Sequence, residues 1–133
     1  MVTEPKARMN SVIIKGRVVR GCNHFQVRMT KFRDIFRTKV GLELVPGTIN
    51  VKIDHPVAVR EDFRIRGEEI NEGEQDLIFE RCRINGLNAY RIRPSHRTTG
   101  IGGHGDDTLE ICCPQRVPGV DVGVEVEVEL FRI

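Results

Sequence analysis

Apolar and polar residues alternate in short blocks along most of this chain. The strictest block is residues 122–131 (VGVEVEVELF), with valines on one side and glutamates on the other, as expected of a strand with one buried face. Residues 48–54 (TINVKID) repeat the pattern, placing Ile49, Val51 and Ile53 on one face and Asn50 and Lys52 on the other. Residues 12–20 (VIIKGRVVR) are rich in β-branched side chains, and residues 25–29 (FQVRM) alternate. Residues 63–66 and 108–113 are shorter candidates. Residues 77–84 and 87–93 flank Asn85-Gly86, a dipeptide suited to the left-handed conformations of a two-residue type I′ hairpin turn.

One segment has a different period. Residues 30–40 (TKFRDIFRTKV) place Phe32, Ile35, Phe36 and Val40 at helical spacing, with Thr30 as N-cap and Gly41 just past the C-terminus. The two phenylalanines read as core contacts. Residues 94–107 (PSHRTTGIGGHGDD) and 67–75 (GEEINEGEQ) read as loops, and residues 1–10 as a loosely ordered lead-in. Six or seven short strands and one short helix predict a mainly β fold, a closed or partly closed β-barrel, in a single domain over residues 11–133.

With 133 residues and 15.1 kDa, the chain suits one domain with one core. It has no apolar run long enough to cross a membrane as a helix, and its start lacks the apolar region of a secretory signal. A cytoplasmic monomer, away from membranes, is the expectation. Charge is uneven: residues 1–40 hold ten Lys/Arg against two acids, and the remainder holds eleven against seventeen. Such a field can attract a phosphate-bearing ligand, although a salt-balanced surface reads the same way. Aromatics are 5% with no Trp, and there is no arginine-rich tail, so nucleic acid is not an expected partner. Cys22, Cys82, Cys112 and Cys113 contain no CxxC spacing. Adjacent Cys112 and Cys113 on a strand point to opposite faces, so reduced, buried thiols are expected rather than a zinc site.

Residues 42–53 (LELVPGTINVKI) carry the most chemistry. After the Pro46-Gly47 turn, Thr48 and Asn50 project from the same strand face. Both offer neutral hard oxygens, which can complete a Mg²⁺ shell whose charge is balanced by phosphates. The same pair can instead hydrogen-bond the turn itself. His96, His104, Asp106 and Asp107 form a loose set of possible metal ligands without a known zinc spacing, and solvated loop residues fit them as well.

The series Gly16-x-Val18-Val19-x-Gly21, Phe32-x-x-Ile35-Phe36 and Pro46-Gly47-Thr48-Ile49-Asn50-Val51-Lys52-Ile53 resembles the archaeal-type, CTP-dependent riboflavin kinases. The likeness continues through Glu110-Ile111 and Pro114 to the final strand. It implies a compact six-stranded cradle-loop (RIFT-type) β-barrel and Mg²⁺-dependent phosphorylation of riboflavin to FMN, with CTP as the favoured nucleoside triphosphate. It also implies roles for particular residues. Thr48 and Asn50 would hold Mg²⁺. Glu110 would contact the flavin and is the candidate catalytic base, with Asp107 the runner-up. Thr98 or Thr99 would assist at the flavin, and Gln115, Arg116 and Val117 would hold the cytidine nucleotide.

The chain departs from the family pattern in two places. The family's glycine-rich phosphate loop, GxGxG, corresponds to Gly21-Cys22-Asn23-His24-Phe25, which keeps the first glycine only and is about two residues shorter. His24, Arg20 and Arg28 can substitute as charged donors, or the stretch is simply a tight turn. The 94–107 loop is longer and richer in glycine, and its Gly102-Gly103-His104-Gly105 could form a second phosphate loop or a lid. The alternative to a kinase is therefore a non-catalytic flavin- or nucleotide-binding barrel. A barrel that binds another protein is a third option, which the charged face of residues 125–129 does not favour.

Overall fold

The computed structural model describes residues 10–21, 24–70, 75–95 and 107–132. Among them are seven strands: β1 (Ser11–Val19), β2 (Ile49–Lys52), β3 (Phe63–Ile65), β4 (Leu77–Ile84), β5 (Leu87–Pro94), β6 (Thr108–Cys112) and β7 (Glu125–Phe131). Two helices, α1 (His24–Lys31) and α2 (Arg33–Val40), lie between β1 and β2. The strands form one antiparallel sheet in the order β3-β4-β5-β6-β2-β1-β7. β4 also pairs with β7, through Cys82 opposite Leu130 and Ile84 opposite Val128, so the hydrogen bonding closes into a ring. β3 lies outside the ring, paired to the first half of β4.

Closure follows from the alternation. Val126, Val128 and Leu130 of β7 are buried, and Glu125 and Glu127 between them are exposed. With Val18, Val51, Ile53, Cys82, Ile84, Leu109 and Ile111 they fill the inside of the ring. Burying each such Val, Leu or Ile contributes roughly 2 kcal/mol. Gly16 is required where β1 crosses β2: a Cβ there would stand 2.5 Å from Val51 Cγ1 and 2.7 Å from the Lys52 carbonyl. At the β4–β5 hairpin, Asn85 and Gly86 have φ of 48° and 82°, as the type I′ reading requires.

The outer face of β4, β5 and β6 carries a second core. Phe79, Ile92 and Cys112 pack there with Phe25, Met29 and Phe36 from the helices and with Ile65 and Ile70. Cys112 belongs to this cluster and Cys113 to the inner one, so the neighbouring thiols do face opposite ways. Cys82, Cys112 and Cys113 are free and buried; Cys22 lies outside the described residues.

Four expectations need correction. Residues 25–29 are helical, so the chain has two helices instead of one. Phe25 and Met29 are one helical turn apart and buried, and Val27 between them is 65% exposed. The second helix starts at Arg33 behind Phe32, and the Thr30 hydroxyl donates to the Gln26 carbonyl instead of capping it. Its end at Gly41, left-handed with φ 85°, agrees with the sequence reading. The sheet has seven strands, within the six or seven read from the pattern but one more than the six-stranded barrel that the resemblance implies, because β3 joins it. Finally, Gly67–Ile70 is a 3₁₀ turn with Gly67 and Ile70 buried, held by the Asp76 carboxylate accepting from the Gly67 N–H at 2.8 Å. No described helix is long and apolar enough to cross a membrane.

Candidate functional site

β1 ends, β2 begins and β6 ends at the same rim of the ring, because Val19 pairs with Asn50 and Ile49 with Ile111. Three connections meet there: residue 20 onward into α1, residues 41–48 into β2, and residues 113–124 into β7. Between them lies a cavity of about 430 Å³. Its polar wall carries Arg20, Gly21, Gln26, Thr48, Asn50, Gln115 and Arg116. Its apolar wall carries Val18, Ile111, Val117, Val120 and Val122.

Of the residues singled out in the sequence, Thr48, Asn50, Gly21, Gln115, Arg116 and Val117 all line this cavity. They come from three segments far apart in the chain. Glu110 is not in its wall. It stands directly opposite Asn50 in the β2–β6 ladder, on the same sheet face, and is 7% exposed. His24 opens α1. Cys22, Asn23, Thr98 and Thr99 lie outside the described residues, as do His96, His104 and Asp106. Asp107 is ion-paired with Lys52, and its carbonyl accepts from the Ile53 N–H at 2.8 Å. Among the described residues no three His, Cys, Asp or Glu side chains converge as metal ligands.

The segment carrying Thr48 and Asn50 is held from both sides. The Gly47 N–H donates to the Met29 sulfur of α1 at 3.3 Å. On the other flank, the Val45 N–H donates to the Cys113 carbonyl at 2.9 Å. Asn50 itself is 5% exposed, and its Oδ1 is buried with no hydrogen-bond partner. An unpaired buried carbonyl of this kind costs on the order of 1–3 kcal/mol. Oδ1 has no hydrogen bond that holds the carboxamide oxygen in place. The Thr48 hydroxyl and this carboxamide are hard, neutral donors that fit a divalent cation carrying phosphate ligands of its own.

The Cys113 thiol is also in the wall. Burial pushes its pKa up to about 11, which keeps it protonated and poorly nucleophilic at neutral pH. Gln26, Val120 and Val122 are site residues that the sequence reading missed. Gln26 was hidden by reading residues 25–29 as a strand, Val120 by a turn-rich connection, and Val122 by reading it as the start of the last strand, which begins at Glu125. Neither a scan against protein-family models nor a search of curated proteins finds a match to this chain.

Proposed function

We propose that this chain is a riboflavin kinase of the archaeal, CTP-dependent type, built on a six-stranded cradle-loop barrel to which β3 is added. The observation that carries the reading is the shared cavity. The PGTxN segment, the first glycine of the phosphate loop and the segment after the late proline are independent parts of the resemblance, and all three line it.

Thr48 and Asn50 would hold Mg²⁺, which when bound neutralises triphosphate charge. Arg20 and Arg116 add positive charge to the same wall. The valines that line the same cavity offer an apolar surface to a planar ring. Phosphoryl transfer depends mainly on such positioning and charge balance. The riboflavin 5′-oxygen forms a bond to the γ-phosphorus, the bond from that phosphorus to the β–γ bridging oxygen breaks, and CDP leaves. Glu110, beside Asn50 on the same sheet face although outside the cavity wall, would orient the hydroxyl and take its proton.

The test is a product assay with pure protein, riboflavin, Mg²⁺ and CTP, ATP or GTP in turn, separating riboflavin from FMN by fluorescence-detected chromatography. FMN with CTP is expected, and Glu110→Gln is expected to reduce its formation by about 100-fold or more. Absence of FMN with every donor, from folded protein, rejects the kinase; retained binding of flavin or nucleotide would then assign a non-catalytic binding barrel. Undiminished turnover in Glu110→Gln rejects the base.

A further inference from the structure

The structure gives Gly21 a role that a phosphate loop does not require. A Cβ on Gly21 would lie 2.0 Å from Asn50 Nδ2, 2.6 Å from Cγ and 3.1 Å from Oδ1. No real Cβ tolerates such distances, so the bare Cα of Gly21 is the surface against which the Asn50 carboxamide rests. Asn50 needs such a surface. Its oxygen has no hydrogen-bond partner, so packing against Gly21 helps set where the amide sits. Backbone pairing brings the two together: Val19 pairs with Asn50, and Gly21 follows two residues after Val19. The glycines that would accompany Gly21 in a phosphate loop are replaced here by Asn23 and Phe25.

We propose that Gly21 is a positioning residue for Asn50: it acts on the cavity through the carboxamide it shelves and not by offering its own backbone to phosphate. Substitution by alanine pushes the carboxamide off its place in the cavity wall. The choice of ligand rests on the kinase reading; the contact between the two residues does not.

The experiment is a double-mutant cycle over wild type, Gly21→Ala, Asn50→Ala and the double variant. Each protein is titrated with CTP at saturating Mg²⁺ and again with EDTA, and the melting temperature of each is recorded. Gly21→Ala is expected to weaken Mg²⁺-dependent CTP binding about tenfold, as Asn50→Ala does. The double variant is expected to bind within about twofold of Asn50→Ala, because the new methyl then occupies the space the carboxamide has left. If Gly21→Ala weakens binding by the same factor in both backgrounds, the glycine acts on the ligand directly and the proposal is overturned. If wild type binds no CTP, the kinase reading fails instead, and the melting temperatures decide the contact. A fall of a few degrees from Gly21→Ala that disappears in the Asn50→Ala background supports the shelf. Equal falls in both backgrounds, or none in either, overturn it.

Discussion

The two ends of the ring both bury polar side chains, one as a cluster of opposite charges and the other as a neutral amide at a cavity. At the end where β1 starts and β7 finishes, the Glu80 carboxylate is fully buried but surrounded. It accepts from the Arg60 N–H at 3.0 Å, lies 3.1 Å from an Arg132 guanidinium nitrogen and 3.6 Å from one of Arg91. Those arginines reach onward: Arg91 donates to the Val57 carbonyl at 2.6 Å, Arg132 to the Ala58 carbonyl at 3.0 Å, and Arg60 to the Phe131 carbonyl. The result is a polar plug that ties the 57–62 segment and the last strand together. At the other end, the Asn50 oxygen is buried without a partner beside a cavity. Glu80 Oε2, Arg91 Nη1 and Arg132 Nε in the plug also lack a hydrogen bond, and ion pairing between opposite charges holds them. The neutral Asn50 oxygen has no opposite charge to hold it and lies at a cavity wall, where a ligand can supply its partner.

The largest effect that tests this contrast is at the plug. Glu80→Ala removes the buried carboxylate that faces Arg91 and Arg132 and should cost about 3–5 kcal/mol in urea unfolding. A loss below about 1 kcal/mol would mean that the plug is dispensable and the contrast false.

A second effect separates the ends by their thiols. Burial raises the pKa of Cys82, Cys112 and Cys113, and the Glu80 carboxylate raises that of Cys82 further. Above the ordinary thiol value near 9.0 the unfolded chain releases these protons while the folded chain keeps them. Stability is therefore complete below pH 9 and falls above it, by up to about 1.4 kcal/mol per pH unit for each thiol, until the folded-state value is passed. For Cys113 that value is about 11. Alkylation at pH 9.5 mapped by mass spectrometry should label Cys113, in the cavity wall, before Cys82. Labelling in the reverse order would place the accessible end of the ring elsewhere.

The smallest effect lies away from both ends. The Gly67 N–H and then Arg64 hold the Asp76 carboxyl below its ordinary value of 3.8. Its contribution is present above about pH 4 and is lost as pH falls through the lowered folded-state value. Asp76→Asn should flatten the acid limb of the stability curve slightly, with no change in CTP binding. A loss of CTP binding in this variant would link the 3₁₀ turn to the cavity.

Much of this is legible in the sequence. The alternation of β2 and β7 and the Asn85-Gly86 turn depend on side chains one or two residues apart, so local pattern suffices to read them. α1 was not legible, because Phe25 and Met29 satisfy both a period of two and a single helical turn; only the exposure of Val27 separates the two. The plug was hidden for a different reason. Glu80 and Arg91 are paired by the β4–β5 register, and no periodicity announces a charge that faces inward. At the cavity, Thr48 and Asn50 could be named from the PGTxN segment. The contact between Asn50 and Gly21 could not, since it depends on how closely β1 approaches β2 and leaves no pattern in either segment.

The most direct measurement makes one substitution and reads two properties. Asn50→Ala removes an unpaired buried carbonyl, so its melting temperature should stay within a few degrees of wild type. In the same preparation, Mg²⁺-dependent FMN formation from riboflavin and CTP should fall at least about tenfold. Loss of the fold with Asn50, or full activity without it, would contradict the assignment of this end of the ring as the site.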